Sequence, residues 1–423
     1  MDCRNGSRYN ARQRGVFLGV LFLASTLSYA DRLIVTVLLE PIKHEFQVSD
    51  AMLGALSGLC FAIFYASFGI PIARWADRGN RRSVITVALA VWSMMTALCG
   101  IAQNFWQLAV ARIGVGAGEA GAIPAAQSLI ADYFPPERRA TALSILTSAS
   151  ALGSLLGIGA GGYIAATHGL RTAFVLAGLP GLGLAFVARF TLDEPRQRAA
   201  PIHHSESSQE PIQHTVEQLS RKPSFQYALA GCLVYFFAVN GGLAFIPSFL
   251  MRVLQASQTQ VSTTYGVVSA LASLLGTLGG GWWADRLARG DIRWLAWLPA
   301  MACVLTAPLY VWAFTVDDLR PFMAINVVAY ACAAGGVTPI FAAIHSICGS
   351  RRRAMAIALI LFSATLFGSG LGPLAAGICS DALTAVYGVD GLRYTLMMMM
   401  TLLVLSAVFF YWFGRAMPDD LED

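Results

Sequence analysis

Arg112-Ile-Gly-Val-Gly-Ala-Gly-Glu119 puts two opposite charges inside one apolar run, about residues 106–130, which is long enough to cross a bilayer as a helix. The two charges are seven residues apart, so two helical turns place them on one face at different depths. A second pair, Asp31-Arg32, interrupts the first apolar run, about residues 16–39. An ion near the centre of a bilayer costs about 2.5–3.5 kcal/mol on insertion scales, so four of them must compensate one another. Two acids and two arginines sum to zero. The rest of the chain reads as a scaffold that presents this cluster to alternate sides of a membrane.

Composition supports that reading. The 423 residues are 56% hydrophobic and only 13% charged, with a mean hydropathy of +0.60. A soluble chain carries about 25% charged residues, so this one is expected to be a polytopic membrane protein. The net charge of +5 does not point to nucleic acid, because the basic residues fall in short loops between apolar runs. Seven cysteines, Cys60, Cys99, Cys232, Cys303, Cys332, Cys348 and Cys379, sit singly in apolar runs. They read as small apolar fillers rather than as a metal or redox set. No cofactor or metal is implied. The basic start (Arg4, Arg8, Arg12, Arg14) leads into a run too long for a signal peptide core, so it is expected to stay as the first helix.

Twelve spans are expected: 16–39, 51–74, 83–103, 106–130, 141–166, 173–192, 223–250, 261–284, 294–315, 321–347, 355–380 and 393–414. Most Lys and Arg fall in one alternating set of loops together with both termini, which makes that side cytoplasmic. In that orientation Asp31 lies roughly 22 Å into its helix, and Arg112 about 9 Å from the opposite end of the fourth. Asp31 and Arg112 are therefore expected within reach of each other, with Glu119 about 10 Å deeper.

The chain divides into a six-helix bundle over 1–192, a polar cytoplasmic linker over 193–222, and a second six-helix bundle over 223–423. The linker is rich in Pro, Ser, Gln and His and has no apolar period. The halves echo each other. Ala73-Arg-Trp-Ala-Asp77-Arg78 recurs as Gly281-Trp-Trp-Ala-Asp285-Arg286, and Gly157 with Gly162 recurs as Gly372 with Gly377. Two copies in the same orientation imply a pseudo-two-fold along the membrane normal. The expected fold class is all-α integral membrane, with twelve transmembrane helices in two related bundles.

At this point the chain resembles the major facilitator superfamily over its whole length. The loop Asp77-Arg78-Gly79-Asn80-Arg81-Arg82 looks like that superfamily's signature after the second helix, with Ala73 and Asn80 where glycine is usual. Gly153-x3-Gly157-Ile158-Gly159-Ala160-Gly161-Gly162 resembles the fifth-helix antiporter signature with its proline replaced by Ile158. Within the superfamily the chain is most similar to the spinster lipid transporters. Three features carry this: Tyr29-Ala-Asp31-Arg32, Asp77-Arg78-x-Asn80-Arg-Arg, and Gly114-x-Gly116-x-Gly118-Glu119-Ala120. Ser28 and Gly121 depart from the animal members, which implies a bacterial homologue. The Asp-Arg pair with Arg-x6-Glu also resembles organic-anion:proton symporters.

Glu119 is the first candidate for proton coupling and Asp31 the second. Burial disfavours a charged carboxylate and a nearby arginine favours it, so an arginine that moves between conformations can switch protonation. Asp31 either binds a proton or holds Arg112. The competing reading is a purely structural ion-pair network, although burying ions is a poor route to stability. Arg32, turned about 100° from Asp31 along the helix, is a candidate for a substrate phosphate or carboxylate. Arg112, Asn240, Phe236 and Tyr330 complete the expected binding set. Asn326 and Thr338 add polar candidates, and Phe237, Phe245, Phe249 and Phe341 apolar ones. His345 is expected as a packed residue near the cytoplasmic end of the tenth span. Asp77, Arg78, Arg81, Arg82, Arg138, Arg139, Asp285 and Arg286 are expected at a cytoplasmic gate of charge pairs, or else serve only as topology signals. The many glycines in the fourth, fifth and eleventh spans are expected to allow close helix approach.

The expected activity is proton-coupled transport of an amphipathic, lysolipid- or sphingoid-like molecule by a monomer in the bacterial inner membrane. The head group would lie at the charges and the tail against the apolar second half. The alternatives are a sugar-acid:proton symporter, a drug:proton antiporter, and, from a different class, a non-transporting membrane sensor. No enzyme motif is present.

Overall fold

A computed structural model describes residues 10–195, 212–348 and 352–421, which are helices joined by short turns with no strand among them. The described chain forms twelve long helical rods. In the first half these are α1 (Ala11–Phe46), α2 (50–78), α3 (Arg81–Cys99), α4 (105–133), α5 (136–168) and α6 (Leu170–Thr191). In the second half they are α7 (Pro223–Arg252), α8 (258–288), α9 (Trp294–Thr315), α10 (Leu319–Ile347), α11 (353–387) and α12 (Gly391–Ala416). Ten stretches are long and apolar enough to cross a membrane, and the last of them contains both α11 and α12. α4 is absent from that set because it is broken into Phe105–Glu119 and Ala122–Tyr133. The sequence pattern gives it as one unbroken span. The break falls at Gly121, where a Cβ would lie 2.0 Å from the Ile72 side chain.

Polar residues start the rods. Asn10 caps α1 and exchanges hydrogen bonds with Gln13, and Asn80 and Asn104 accept from the third amide of α3 and α4. Pro136 and Pro223 open α5 and α7, where a missing N–H costs nothing.

Contacts group the chain into two units. The first contains 1–48, 60–204 and 258–266, and the second contains 49–59, 205–257 and 267–423. In the first unit the core beneath the site includes Phe17, stacked on Tyr133 at 3.8 Å, with Leu21, Val84, Leu129 and Ile130. Asp193 and Glu194, which the sequence puts at the start of the linker, are built into this unit through Tyr133 and Arg81. The linker also contains a helix, Ile212–Arg221, with Leu219 buried. Over ten residues of mostly polar sequence, Leu219 makes no apolar period that the sequence could show.

Glycines let the rods touch. Added Cβ atoms at Gly153 and Gly157 of α5 would lie 2.4 and 2.6 Å from Tyr29 and the Ala30 carbonyl of α1. In the second unit, Gly368 and Gly372 of α11 meet Phe236 and the Phe237 carbonyl of α7 at 2.6 and 2.7 Å. The same offset in sequence thus makes the same kind of crossing in each unit. The Gly-x-Gly-x-Gly run of α4 does likewise, with Gly116 on the Phe61 carbonyl and Gly118 on the Trp92 backbone. Because these neighbours are main chain, they cannot yield. Gly116→Val is expected to destabilise the protein by about 1–3 kcal/mol, read as a lowered melting temperature in detergent. An unchanged melting temperature would remove close approach as the reason for the glycine.

Candidate functional site

All four intramembrane charges converge inside the first unit. Asp31, Arg112 and Glu119 are buried, and the Arg32 side chain keeps 28% of its surface. α1 carries Ser28 and, about one turn later, the adjacent Asp31 and Arg32. α4 brings Arg112 and, at the end of its first segment, Glu119. α2 and α3 close the pocket with Phe61, Tyr65 and Thr96.

Arg112 meets Asp31, but at its main chain, and Glu119 takes Arg32. Arg32 Nε donates to Glu119 Oε2 at 2.7 Å, and Ser28 Oγ donates to the same oxygen at 2.9 Å. Arg112 Nη1 reaches the main-chain carbonyl of Asp31 at 3.2 Å rather than its carboxylate. The Asp31 carboxylate instead accepts from Thr96 Oγ1 at 3.0 Å. Helix geometry puts Asp31 and Arg112 within reach, but the details of side-chain reach decide which atoms meet.

Arg32 is also held by rings. Its guanidinium carbon lies 4.7 Å from the Phe61 ring centre, 4.9 Å from Tyr65 and 5.9 Å from Tyr29. Arg112 lies 5.9 Å from Phe61. These cation–π contacts fix the cations without neutralising them. Three buried polar atoms of the cluster have no hydrogen-bond partner: Arg32 Nη2, Arg112 Nε and Glu119 Oε1. A buried donor or acceptor left unmade costs about 1–3 kcal/mol, more when charged, so the cluster has unused capacity for binding. The sequence alone assigns no role to Ser28, Thr96, Phe61, Tyr65 or Tyr29. Ser28 lies one helical turn before Arg32, and that spacing is its signal. Thr96 has none beyond being a hydroxyl in an apolar run.

In the second unit, Asn240 donates to Ser369 Oγ at 3.3 Å. Phe236 is half-buried against Gly368 and edge-on to Tyr235. Tyr330 is half-buried. Asn326 is fully buried between Tyr310 and Ser269 and is a packing group. Phe245 and Phe249 are also core, the latter against Phe314 and Phe322. Phe237 and Phe341 are half-buried, and Thr338 is exposed. His345 is exposed rather than packed, because its position on α10 faces away from the unit's interior.

The charged helix ends differ among themselves. Arg81 is fully buried in the first unit, with Nη2 at 2.6 Å from both Asp132 and Glu194 and Nη1 on Ser128. Arg82 donates to the Arg189 carbonyl, and Arg139 donates to the Phe134 carbonyl. Arg138, Asp285 and Arg286 are exposed, the last lying over Trp282. The side chains of Asp77 and Arg78 lie outside the described residues.

The sequence profile described as Major Facilitator Superfamily matches residues 21–317. An MFS-type efflux pump of Mycolicibacterium smegmatis is 36% identical over 417 residues, spanning 98% of this chain and 96% of that protein. A sphingosine-1-phosphate transporter of Danio rerio is 26% identical over 457 residues, spanning 99% and 89%. The crystal structure of a bacterial homolog of the human lysosomal transporter Spinster superposes with a TM-score of 0.87 at 28% identity, covering 98% of this chain and all of that one.

Proposed function

Because the chain belongs to the major facilitator superfamily, we propose that it is a proton-coupled carrier of amphipathic, lysolipid- or sphingoid-like molecules, working by alternating access. One observation carries the proposal: two buried carboxylates, one ion-paired to Arg32 and one held only by a hydroxyl, share a cluster whose polar capacity is not used up. Neutralising Glu119 would release Arg32, whereas neutralising Asp31 would break no side-chain ion pair. Arg32, partly exposed and ringed by Tyr29, Phe61 and Tyr65, offers an anionic head group a cation and an apolar wall together. Arg112 supports it from α4. Asn240, Phe236 and Tyr330 are the second-unit candidates for the remainder of the substrate. The similarity to a sphingosine-1-phosphate transporter and to a Spinster homolog agrees with a lipid-like substrate.

We place both termini at the cytoplasmic face of the bacterial inner membrane and take the carrier to act as a monomer. Asp77, Arg78, Arg82, Arg138, Arg139, Asp285 and Arg286 remain candidates for a cytoplasmic gate. Arg81 has its ion pairs inside one unit and is assigned as a brace.

A second reading has its own support. The efflux pump matches nearly the whole chain at the highest identity among the relatives described, so export of lipophilic drugs against protons is the alternative. Transport in proteoliposomes with an internal pH dye separates the two. Lysophospholipids and sphingoid phosphates are expected to drive proton flux, and Arg32→Ala is expected to weaken anionic substrates more than neutral ones. Flux with lipophilic cations alone would select the efflux reading, and flux with sugar acids alone a symporter. Equal effects of Arg32→Ala on both substrate types would remove Arg32 from head-group binding.

A further inference from the structure

Beside the charge cluster, the first unit contains a small cavity of about 20 Å³. Its wall includes Ser25 and Ser28 of α1, Trp92 of α3, and Ala122 and Ala126 of α4. Ala122 opens the second segment of α4, so the cavity lies at the break in that rod.

Trp92 is 1% exposed, yet its indole Nε1 has no hydrogen-bond partner. An indole N–H can only donate, and burying it unmade is unfavourable. The ring is packed in a core cluster with Phe61, Leu89 and Val115, so it cannot swing out to find a partner. Its main chain is held as well, since a Cβ at Gly118 of α4 would lie 2.8 Å from the Trp92 amide nitrogen. In the same wall, Ser28 gives its only proton to Glu119 Oε2 at 2.9 Å, which leaves its lone pairs as acceptors. Ser25, about one turn earlier on α1, adds a second hydroxyl. A donor with no acceptor and an acceptor with spare capacity thus line one space.

We propose that this cavity is a binding site for one structural water, which accepts from Trp92 Nε1 and donates to the hydroxyls of Ser28 and Ser25. Size and chemistry agree. A space of about 10–15 Å³ is enough for a water, which needs two to four polar partners, and the wall supplies three. The hydrogen bonds then run in one direction, from the indole to the water, from the water to Ser28, and from Ser28 to the Glu119 carboxylate. Bonds in such a line strengthen one another. A helical serine can otherwise turn its hydroxyl to a carbonyl of the preceding turn. A water donating to Ser28 Oγ keeps that proton on Glu119 instead. Trp92 and Ser25 are thereby positioning residues for the charge cluster, acting on it through the water and Ser28. The site lies wholly in the first unit, and it stands whether or not Glu119 couples protons to transport.

Microsecond hydroxyl-radical labelling of the full-length protein in detergent micelles, read by peptide mapping, tests the site. A radical born from a bound water oxidises the side chain beside it, whereas one born in bulk does not reach a buried ring. Trp92 is expected to be oxidised despite its burial. Tyr310, equally buried but hydrogen-bonded to Asn326, is expected to stay unlabelled. Ala126→Val and Ser25→Val, which fill the cavity, are each expected to lose the Trp92 label. Infrared difference spectra read the link to the cluster. The Glu119 carboxyl band, assigned by its loss in Glu119→Gln, is expected to shift in the same two variants. The wild-type comparison of Trp92 with Tyr310 carries the test alone should both variants fail to fold. A Trp92 that is unlabelled, that is labelled no faster than Tyr310, or that keeps its label in a folded filled variant would overturn the proposal. So would an unmoved Glu119 band, since Ser28 would then be indifferent to the water.

Discussion

Glu119→Gln is expected to abolish substrate-driven proton flux while leaving substrate exchange across the membrane intact. Glu119 Oε2 receives both Arg32 and Ser28. The glutamine keeps the size and one oxygen but can no longer alternate between charged and neutral forms. Arg32 would then be permanently released from its ion pair, a release that the proposed coupling requires to be transient. Asp31→Asn should behave differently. The Asp31 carboxylate has Thr96 as its hydrogen-bond donor, and Arg112 hydrogen-bonds its main-chain carbonyl, so the asparagine breaks no side-chain ion pair, although it removes the negative charge nearest the buried Arg112. Flux should fall in both variants, but Asp31→Asn should leave the affinity for anionic substrates nearer to wild type. The measurement is proton flux and counterflow in proteoliposomes for both variants side by side. Wild-type flux in both would make the charges a structural network, and identical losses of affinity would contradict the split in their partners.

The second large effect lies at the other end of the first unit and concerns stability. Arg81→Met should lower the melting temperature on the order of 10 °C, with little effect from Arg138→Ala or Arg286→Ala. Arg81 is fully buried and holds Asp132, Glu194 and Ser128 together through its guanidinium, and its own amide donates to Glu194 Oε2 at 2.7 Å. The substitution keeps the apolar stem and removes the charge, leaving Glu194 buried beside a neutral side chain. Breaking one side of such a pair typically costs about 3–5 kcal/mol. Arg138 and Arg286 are exposed, and exposed charges contribute about 0–1 kcal/mol. A melting temperature that is equal in all three variants would return Arg81 to the group of gate candidates.

Arg81 also shows where reading by sequence stops. In the chain it is one of a row of arginines in a loop signature, and nothing in that row separates a brace from an exposed charge. The separation comes from Asp132 and Glu194, which lie far off in sequence and are brought in by α4 and by the end of α6. Glu194 itself reads as linker, because a single acid beside Asp193 and Pro195 has no period to place it inside a bundle.

The sequence by itself determined the class of the protein. Apolar runs of spanning length with charge confined to alternate loops allow no other solvent than a bilayer, because unsatisfied backbone groups force helices there. It also determined which four charges lie in the membrane, since their cost there makes each one conspicuous. The glycine runs carried over as well: at Gly116, Gly157 and Gly372 the approach to a neighbouring backbone carbonyl is the reason no side chain is present. Tertiary structure alone decided the partners. Arg32 pairs with Glu119 and Arg112 with the Asp31 carbonyl because side-chain length and rotamer choose among atoms that helix spacing places equally near. Asp50, at the start of α2, likewise meets Arg252, Ser380 and Asp381. They come from two other helices hundreds of residues away, and no local pattern encodes a contact of that kind.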